Sequence, residues 1–188
     1  MPSNAVLIRN DAPSESAIEV RDNGGFKGVF AKDHIKEDSI IFRLRGTITT
    51  KPSKYTIQLG WHRHLNFPAL RKANDDTDYC WQYLNHSCEP NGYMDVTGLT
   101  FRAWRDIETG EEITFNYLTT ESEMAVPFEC VCGSANCFGF IQGRNFLTAE
   151  QAEKLARELG EDNLVTLFMP VAPKNGQRLG KLLREERR

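Results

Sequence analysis

Residues 85–91 read Asn85-His86-Ser87-Cys88-Glu89-Pro90-Asn91, and well downstream 130–137 read Cys130-Val131-Cys132-Gly133-Ser134-Ala135-Asn136-Cys137. The second stretch is a C-x-C-x4-C cluster. A structural zinc site takes four soft ligands, and this run supplies three. If Cys88 supplies the fourth, one zinc ion ties the C-terminal segment onto the Asn-His loop. That loop carries an amide and an imidazole suited to a polar ligand. The expected site is therefore assembled from two distant parts of the chain.

The chain has 188 residues, enough for one solid core with a small appendage. Its 40% hydrophobic and 26% charged content is ordinary for a globular domain. A formal charge of −3 argues against direct nucleic-acid binding, which normally needs an excess of Lys and Arg. No apolar stretch approaches the ~18 residues of a membrane span, so no membrane partner is expected. The opening Met1-Pro2-Ser3-Asn4-Ala5-Val6-Leu7-Ile8-Arg9 lacks the order of a secretory signal. Five cysteines without an export signal point to a reducing, intracellular setting, cytoplasmic or nuclear. Cys80 reads as a small buried residue. His34, His62 and His64 read as surface or packing residues.

The first half reads as short strands between turns: 17–21, 29–31, 39–46 and 55–60, with a turn at Asp22-Asn23-Gly24-Gly25. Residues 66–78 form a polar connection. Residues 98–105 alternate cleanly, and 106–112 form a turn that feeds a strand over 113–117. Thr148-Ala149-Glu150-Gln151 is a capping box, and Ala152, Leu155, Ala156 and Leu159 fall on one helical face before Gly160. A second charged helix is expected over 181–188. Many short strands with few helices define an irregular, mainly β (α+β) fold.

Four stretches taken in order resemble the SET-domain family of S-adenosylmethionine-dependent protein lysine methyltransferases. They are 25–31 (GFKGVFA), 83–91 (YLNHSCEPN), 110–117 (GEEITFNY) and 130–137 (CVCGSANC). The resemblance implies small curved β-sheets, a threaded loop, a zinc-bound post-SET segment and a helical C-terminal tail. The implied divisions are a SET domain over 5–120, a post-SET zinc segment over 121–143 and a helical extension over 144–188. Cys88, Cys130, Cys132 and Cys137 become the zinc ligands. Tyr117 becomes the hydroxyl beside the transferring methyl, and Tyr55 lines the lysine channel. Phe115 falls where relatives carry phenylalanine or tyrosine; phenylalanine leaves room for di- or trimethyl-lysine.

Cofactor contacts are implied for Phe26, Lys27, Gly28, Tyr83, Asn85, His86 and Phe138, with Phe140 beside the last. The chain departs from the family at Phe26, where a glycine is usual, and at Gln82 and Phe138, where arginine is common. The implied cofactors are S-adenosylmethionine and zinc, and the implied partner is a lysine-bearing protein or peptide, with histones among the candidates. Two other readings stay open. One is a catalytically silent zinc-stabilised peptide-binding module, the other a methyltransferase acting on a small amine. No oligomeric state follows from the sequence.

Overall fold

The computed structural model describes residues 15–22, 24–68 and 78–159. Their strands in chain order are β1 (Ile18–Asp22), β2 (Lys27–Ala31), β3 (Ile40–Arg43), β4 (Thr47–Thr49), β5 (Ile57–Gly60) and β6 (Arg63–Asn66). There follow β7 (Asn85–His86), β8 (Gly92–Asp95), β9 (Thr100–Ala103), β10 (Glu112–Phe115), β11 (Phe128–Glu129), β12 (Phe140–Ile141) and one helix, α1 (Ala149–Leu159). The architecture is mainly β, as the turn-rich sequence implied. None of the described helices is long and apolar enough to cross a membrane.

The principal sheet runs β1-β2-β10-β7. Its β1–β2 hairpin pairs Ile18 with Ala31 through to Asp22 with Lys27. The turn is made by Gly24 and Gly25, both at positive φ, and the Gly25 N–H donates to Asp22 Oδ1 at 2.8 Å. β10 lies antiparallel to β2, with Ile113 opposite Val29. On its other side β10 takes β7 as a parallel neighbour, Thr114 beside Asn85 and Phe115 beside His86. Two strands far apart in sequence thus deliver the Asn-His pair beside Phe115.

Two three-stranded sheets, β3-β9-β8 and β4-β6-β5, flank this unit. The apolar-then-alternating run at 39–46 is not one strand. It ends at Arg43, where the Leu44 N–H turns to the Leu99 carbonyl, and Thr47–Thr49 pairs with β6 in a different sheet. β6 and β8 lay outside the strands expected from pattern. β6 begins after a tight turn at Trp61 and His62, the latter at φ 53°, and its His64 is buried. The main core gathers Val29, Ile41, Trp81, Met94, Phe101 and Ile113 around these sheets. Cys80 is buried in it, on the short 3-10 turn Cys80–Tyr83.

A second, smaller core joins Cys88, Leu118, Phe138, Ile141 and Leu155. It is closed by the β11–β12 ribbon, which pairs Phe128 with Ile141 at the base of the cysteine loop. The capping box forms as read: the Thr148 N–H donates to Gln151 Oε1 at 2.9 Å, and the Gln151 N–H to Thr148 Oγ1 at 3.2 Å. The helix it starts buries Leu155 against the cysteine segment, and Lys154 Nζ caps the Asn136 carbonyl at 2.8 Å. The expected helix at 181–188, the stop at Gly160 and most of the 66–78 connection lie outside the described residues.

Candidate active site and metal centre

The four sulfurs of Cys88, Cys130, Cys132 and Cys137 lie within 4.8 Å of one another. A zinc ion at about 2.3 Å from each of four thiolates sets them roughly 3.8 Å apart, and Cys88 Sγ stands 3.8 Å from Cys130 Sγ. Backbone amides point at the cluster, among them the Phe138 N–H, which donates to Cys88 Sγ at 3.3 Å, and the Gly139 N–H, which donates to Cys137 Sγ at 3.4 Å. Such donors favour the thiolate. Burial pushes the Cys88 thiol up and Cys130 to about 11. Cys132 also feels burial, but N–H donors and neighbouring thiols outweigh it and bring it to about 7. A soft dication is the partner this donor set fits, since it lets all four thiols ionise together.

The Asn-His strand is anchored on both sides. Asn85 Nδ2 donates to Glu112 Oε1 at 2.6 Å and to the Lys27 carbonyl at 3.2 Å. Gly28 makes that approach possible: a Cβ there would meet Glu112 Oε1 at 2.6 Å and Asn85 Nδ2 at 3.3 Å. Asn91, at the end of the same motif, is buried and acts as an extra rung on β10. Its Nδ2 donates to the Glu112 carbonyl at 2.8 Å, and its Oδ1 accepts from the Thr114 N–H at 2.9 Å. Sequence reading singled out the motif but gave Asn91 no role; an Asn after a proline carries no signal of its own.

Both ring nitrogens of His86 are engaged inside the protein. Nδ1 accepts from the Tyr117 N–H at 3.1 Å, and Nε2 faces Cys88 Sγ at 3.2 Å. Burial lowers its pKa to about 4, so the imidazole is neutral with its proton on Nε2. Its ring packs edge-on against Tyr117 and Phe128 at 5.2 and 5.7 Å. Phe128 was not singled out from the sequence.

Tyr117 does not close a strand, as the alternating pattern suggested. β10 stops at Phe115, and Tyr117 opens a 3-10 turn whose N-cap, Asn116, accepts from the Leu118 N–H at 3.0 Å. The turn swings the phenol off the sheet, and its hydroxyl donates to the Leu84 carbonyl at 2.6 Å. Burial, then the charges of Glu121 and Glu112, raise the phenol's pKa, so the hydroxyl stays protonated. Phe115 is buried with its ring 4.8 Å from that of Tyr117.

The other predicted residues sit in varied surroundings. Tyr55 is 40% exposed, edge-on to Phe67 at 6.3 Å. Lys27 Nζ lies 4.7 Å over the Tyr83 ring. The Phe26 side chain is 81% exposed beyond the hairpin turn. Phe138 is buried in the second core with Lys154 Nζ over its ring, while Phe140 is half exposed.

Sheet, anchored Asn-His strand and thiol cluster are the frame of a SET domain, and residues 27–118 match that family's profile. Residues 27–118 are therefore a SET domain. Among relatives, Methyltransferase flvH of Aspergillus flavus is 36% identical over 100 residues, covering 52% of this chain and 56% of that protein. The Histone-lysine N-methyltransferase, H3 lysine-36 specific, of Aspergillus oryzae is 46% identical over 104 residues, covering 50% of this chain and 10% of that protein. The chain thus spans about half the length of the first and a tenth of the second. Among solved structures, the methyltransferase domain of human Histone-lysine N-methyltransferase SETMAR is similar at 19% identity, over 67% of this chain and 58% of that one, with a TM-score of 0.47.

Proposed function

We propose that the protein is an S-adenosylmethionine-dependent protein-lysine N-methyltransferase acting on histone tails in the nucleus. The observation that carries this reading is the juxtaposition of a neutral buried phenol, Tyr117, with the Asn85-His86 strand beside a four-thiol cluster. Relatives named as histone-lysine N-methyltransferases support the acceptor class.

The bound methyl donor supplies an electrophilic methyl on a sulfonium. The chain's own residues then orient and desolvate the acceptor. The backbone of Phe26, Lys27 and Gly28 would line the donor site at the head of β2, with Gly28 admitting Asn85 and Glu112 beside it. Asn85 and the backbone of His86 present polar groups to the donor, and Tyr83 walls the same side. The His86 ring acts from beneath, since its nitrogens already serve Tyr117 and Cys88.

A free lysine amine has a pKa near 10.4 and arrives protonated. A channel walled by Phe115, Tyr117 and Tyr55 excludes water and disfavours the ammonium, so the proton leaves to solvent before transfer. Because the Tyr117 hydroxyl donates to Leu84, its oxygen offers a lone pair toward the acceptor and its proton is committed. With a donor bound, these residues would hold the deprotonated amine with its lone pair toward the donor's methyl group, whose transfer would leave the neutral thioether behind. Phe115 contributes no hydroxyl to hold a water or crowd a methylated amine, which suits di- and trimethylation.

Zinc bound by Cys88, Cys130, Cys132 and Cys137 is structural, since four thiolates leave no open position. Under this reading the SET unit extends to residue 120, the zinc segment covers 121–143, and the tail begins at 144. Phe138 contributes through its backbone N–H to Cys88 and the second core.

Incubation of purified protein with labelled methyl donor and a histone panel tests the proposal. The expected result is label on a lysine, lost by about a hundredfold or more in Tyr117→Phe. Donor binding by calorimetry without transfer to any peptide or small amine would instead indicate a silent binding module.

A further inference from the structure

We propose that Glu121 is a positioning residue: through Gln58 it holds the Tyr55 turn at a set distance from the Tyr117 turn, and so fixes the width of the acceptor channel. The inference rests on the reading of both tyrosines as channel residues.

Glu121 is a carboxylic acid buried to 7% exposure, and none of the catalytic steps above uses it. Its backbone belongs to the Tyr117 turn, because the Glu121 N–H donates to the Tyr117 carbonyl at 2.8 Å. Its side chain belongs to β5, because Oε1 accepts from the Gln58 N–H at 2.7 Å. Gln58 returns the contact: its Oε1 accepts from both the N–H and the hydroxyl of Ser122, each at 2.8 Å. Two buried side chains, Gln58 on β5 and Glu121 in the loop after the 3-10 turn, thus each bond the other's segment across one seam.

The far end of the seam is stiff. Ser53 and Thr56 bond reciprocally, Ser53 N–H to Thr56 Oγ1 at 2.9 Å and Thr56 Oγ1 to the Ser53 carbonyl at 2.9 Å, and the Tyr55 N–H donates to Ser53 Oγ at 3.3 Å. Tyr55 therefore moves with β5 as a unit. The near end is stiff as well: the Arg144 N–H donates to the Glu121 carbonyl at 3.0 Å, and Arg144 Nη1 to the Thr119 carbonyl at 3.0 Å. Loss of the Glu121 bond to β5 therefore acts on the relative position of the two turns that carry the tyrosines.

The test uses the zinc-loaded full chain in three forms: parent, Glu121→Ala and Glu121→Gln. The amide variant keeps an oxygen for the Gln58 N–H; the alanine does not. With 3-fluorotyrosine incorporated, the fluorine resonance of Tyr55 should move in Glu121→Ala and return in Glu121→Gln. In kinetics, Glu121→Ala should raise KM for the acceptor peptide and lower kcat by about a hundredfold in their ratio, leaving methyl-donor Kd within about twofold of parent. The glutamine variant should restore both.

Should Glu121→Ala fail to fold, Gln58→Ala cuts only the Ser122 half of the seam and should displace the same resonance in a soluble protein. An unmoved Tyr55 resonance, or donor affinity falling in step with acceptor KM, overturns the proposal. A parent protein that transfers no methyl overturns the proposed function instead, and the Tyr55 resonance then decides the seam by itself.

Discussion

The backbone N–H of Tyr117 donates to Nδ1 of His86 at 3.1 Å, and this sets the imidazole proton on Nε2, 3.2 Å from the Cys88 sulfur. One ring thereby connects the proposed catalytic turn to the thiol cluster. Its two halves are separable by mutation. In His86→Asn the side-chain oxygen retains an acceptor for Tyr117, but the donor toward Cys88 is gone. Zinc release to a chromogenic chelator should accelerate about tenfold in both His86→Asn and His86→Ala. Methyl transfer should survive better in the asparagine form.

Phe115 should govern the product. Its ring lies 4.8 Å from that of Tyr117, so under the proposed function a hydroxyl added by Phe115→Tyr would crowd the acceptor amine. Mass spectrometry of product peptides should then find mainly monomethyl-lysine, where the parent goes on to higher states. An unchanged distribution would remove Phe115 from the channel.

Removing a cluster ligand should unfold more than the cluster. Cys88 sits in the second core with Leu118, one residue after Tyr117, and with Leu155 of α1. Cys88→Ser should reduce zinc stoichiometry measured by elemental analysis, lower Tm, and abolish transfer. Prolonged chelation of the parent should reproduce all three.

Glu121 predicts a pH dependence of stability. Burial first, offset in part by the Gln58 N–H, the Thr120 hydroxyl and the Arg144 charge, raises its pKa from 4.5 to about 7. Between those values the folded state binds more proton than the unfolded one, so folding stability falls as pH rises through that window. The shift corresponds to on the order of 3 kcal/mol across the window. Denaturant titrations of parent and Glu121→Gln at pH 5 and pH 8 should differ mainly in this slope, which the glutamine flattens.

What the chain discloses by eye is what depends on neighbours in sequence. The β1–β2 hairpin follows from Asp22, Gly24 and Gly25, and the start of α1 from Thr148 and Gln151, because each partner lies within one turn. The convergence of four cysteines was legible because thiols carry specific chemistry wherever they stand. The break after Arg43 was not, since it is decided by Leu99, and the end of β10 at Phe115 was hidden by residues that continue to alternate. Asn91, Gln58 and Glu121 act through partners 21 to 64 residues away, and no local pattern marks them.

Cys80 has a practical bearing on all the metal experiments. The residue is 1% exposed, and burial together with the nearby Glu15 charge drives its pKa up to about 12. A thiol-reactive dye added to native protein should pass it by, because the thiolate is the nucleophile. If the cluster holds zinc as proposed, its loss opens the second core around Cys88, so colour should develop for four cluster thiols on metal loss and a fifth only after denaturant, giving an internal gauge of how much of any preparation is loaded.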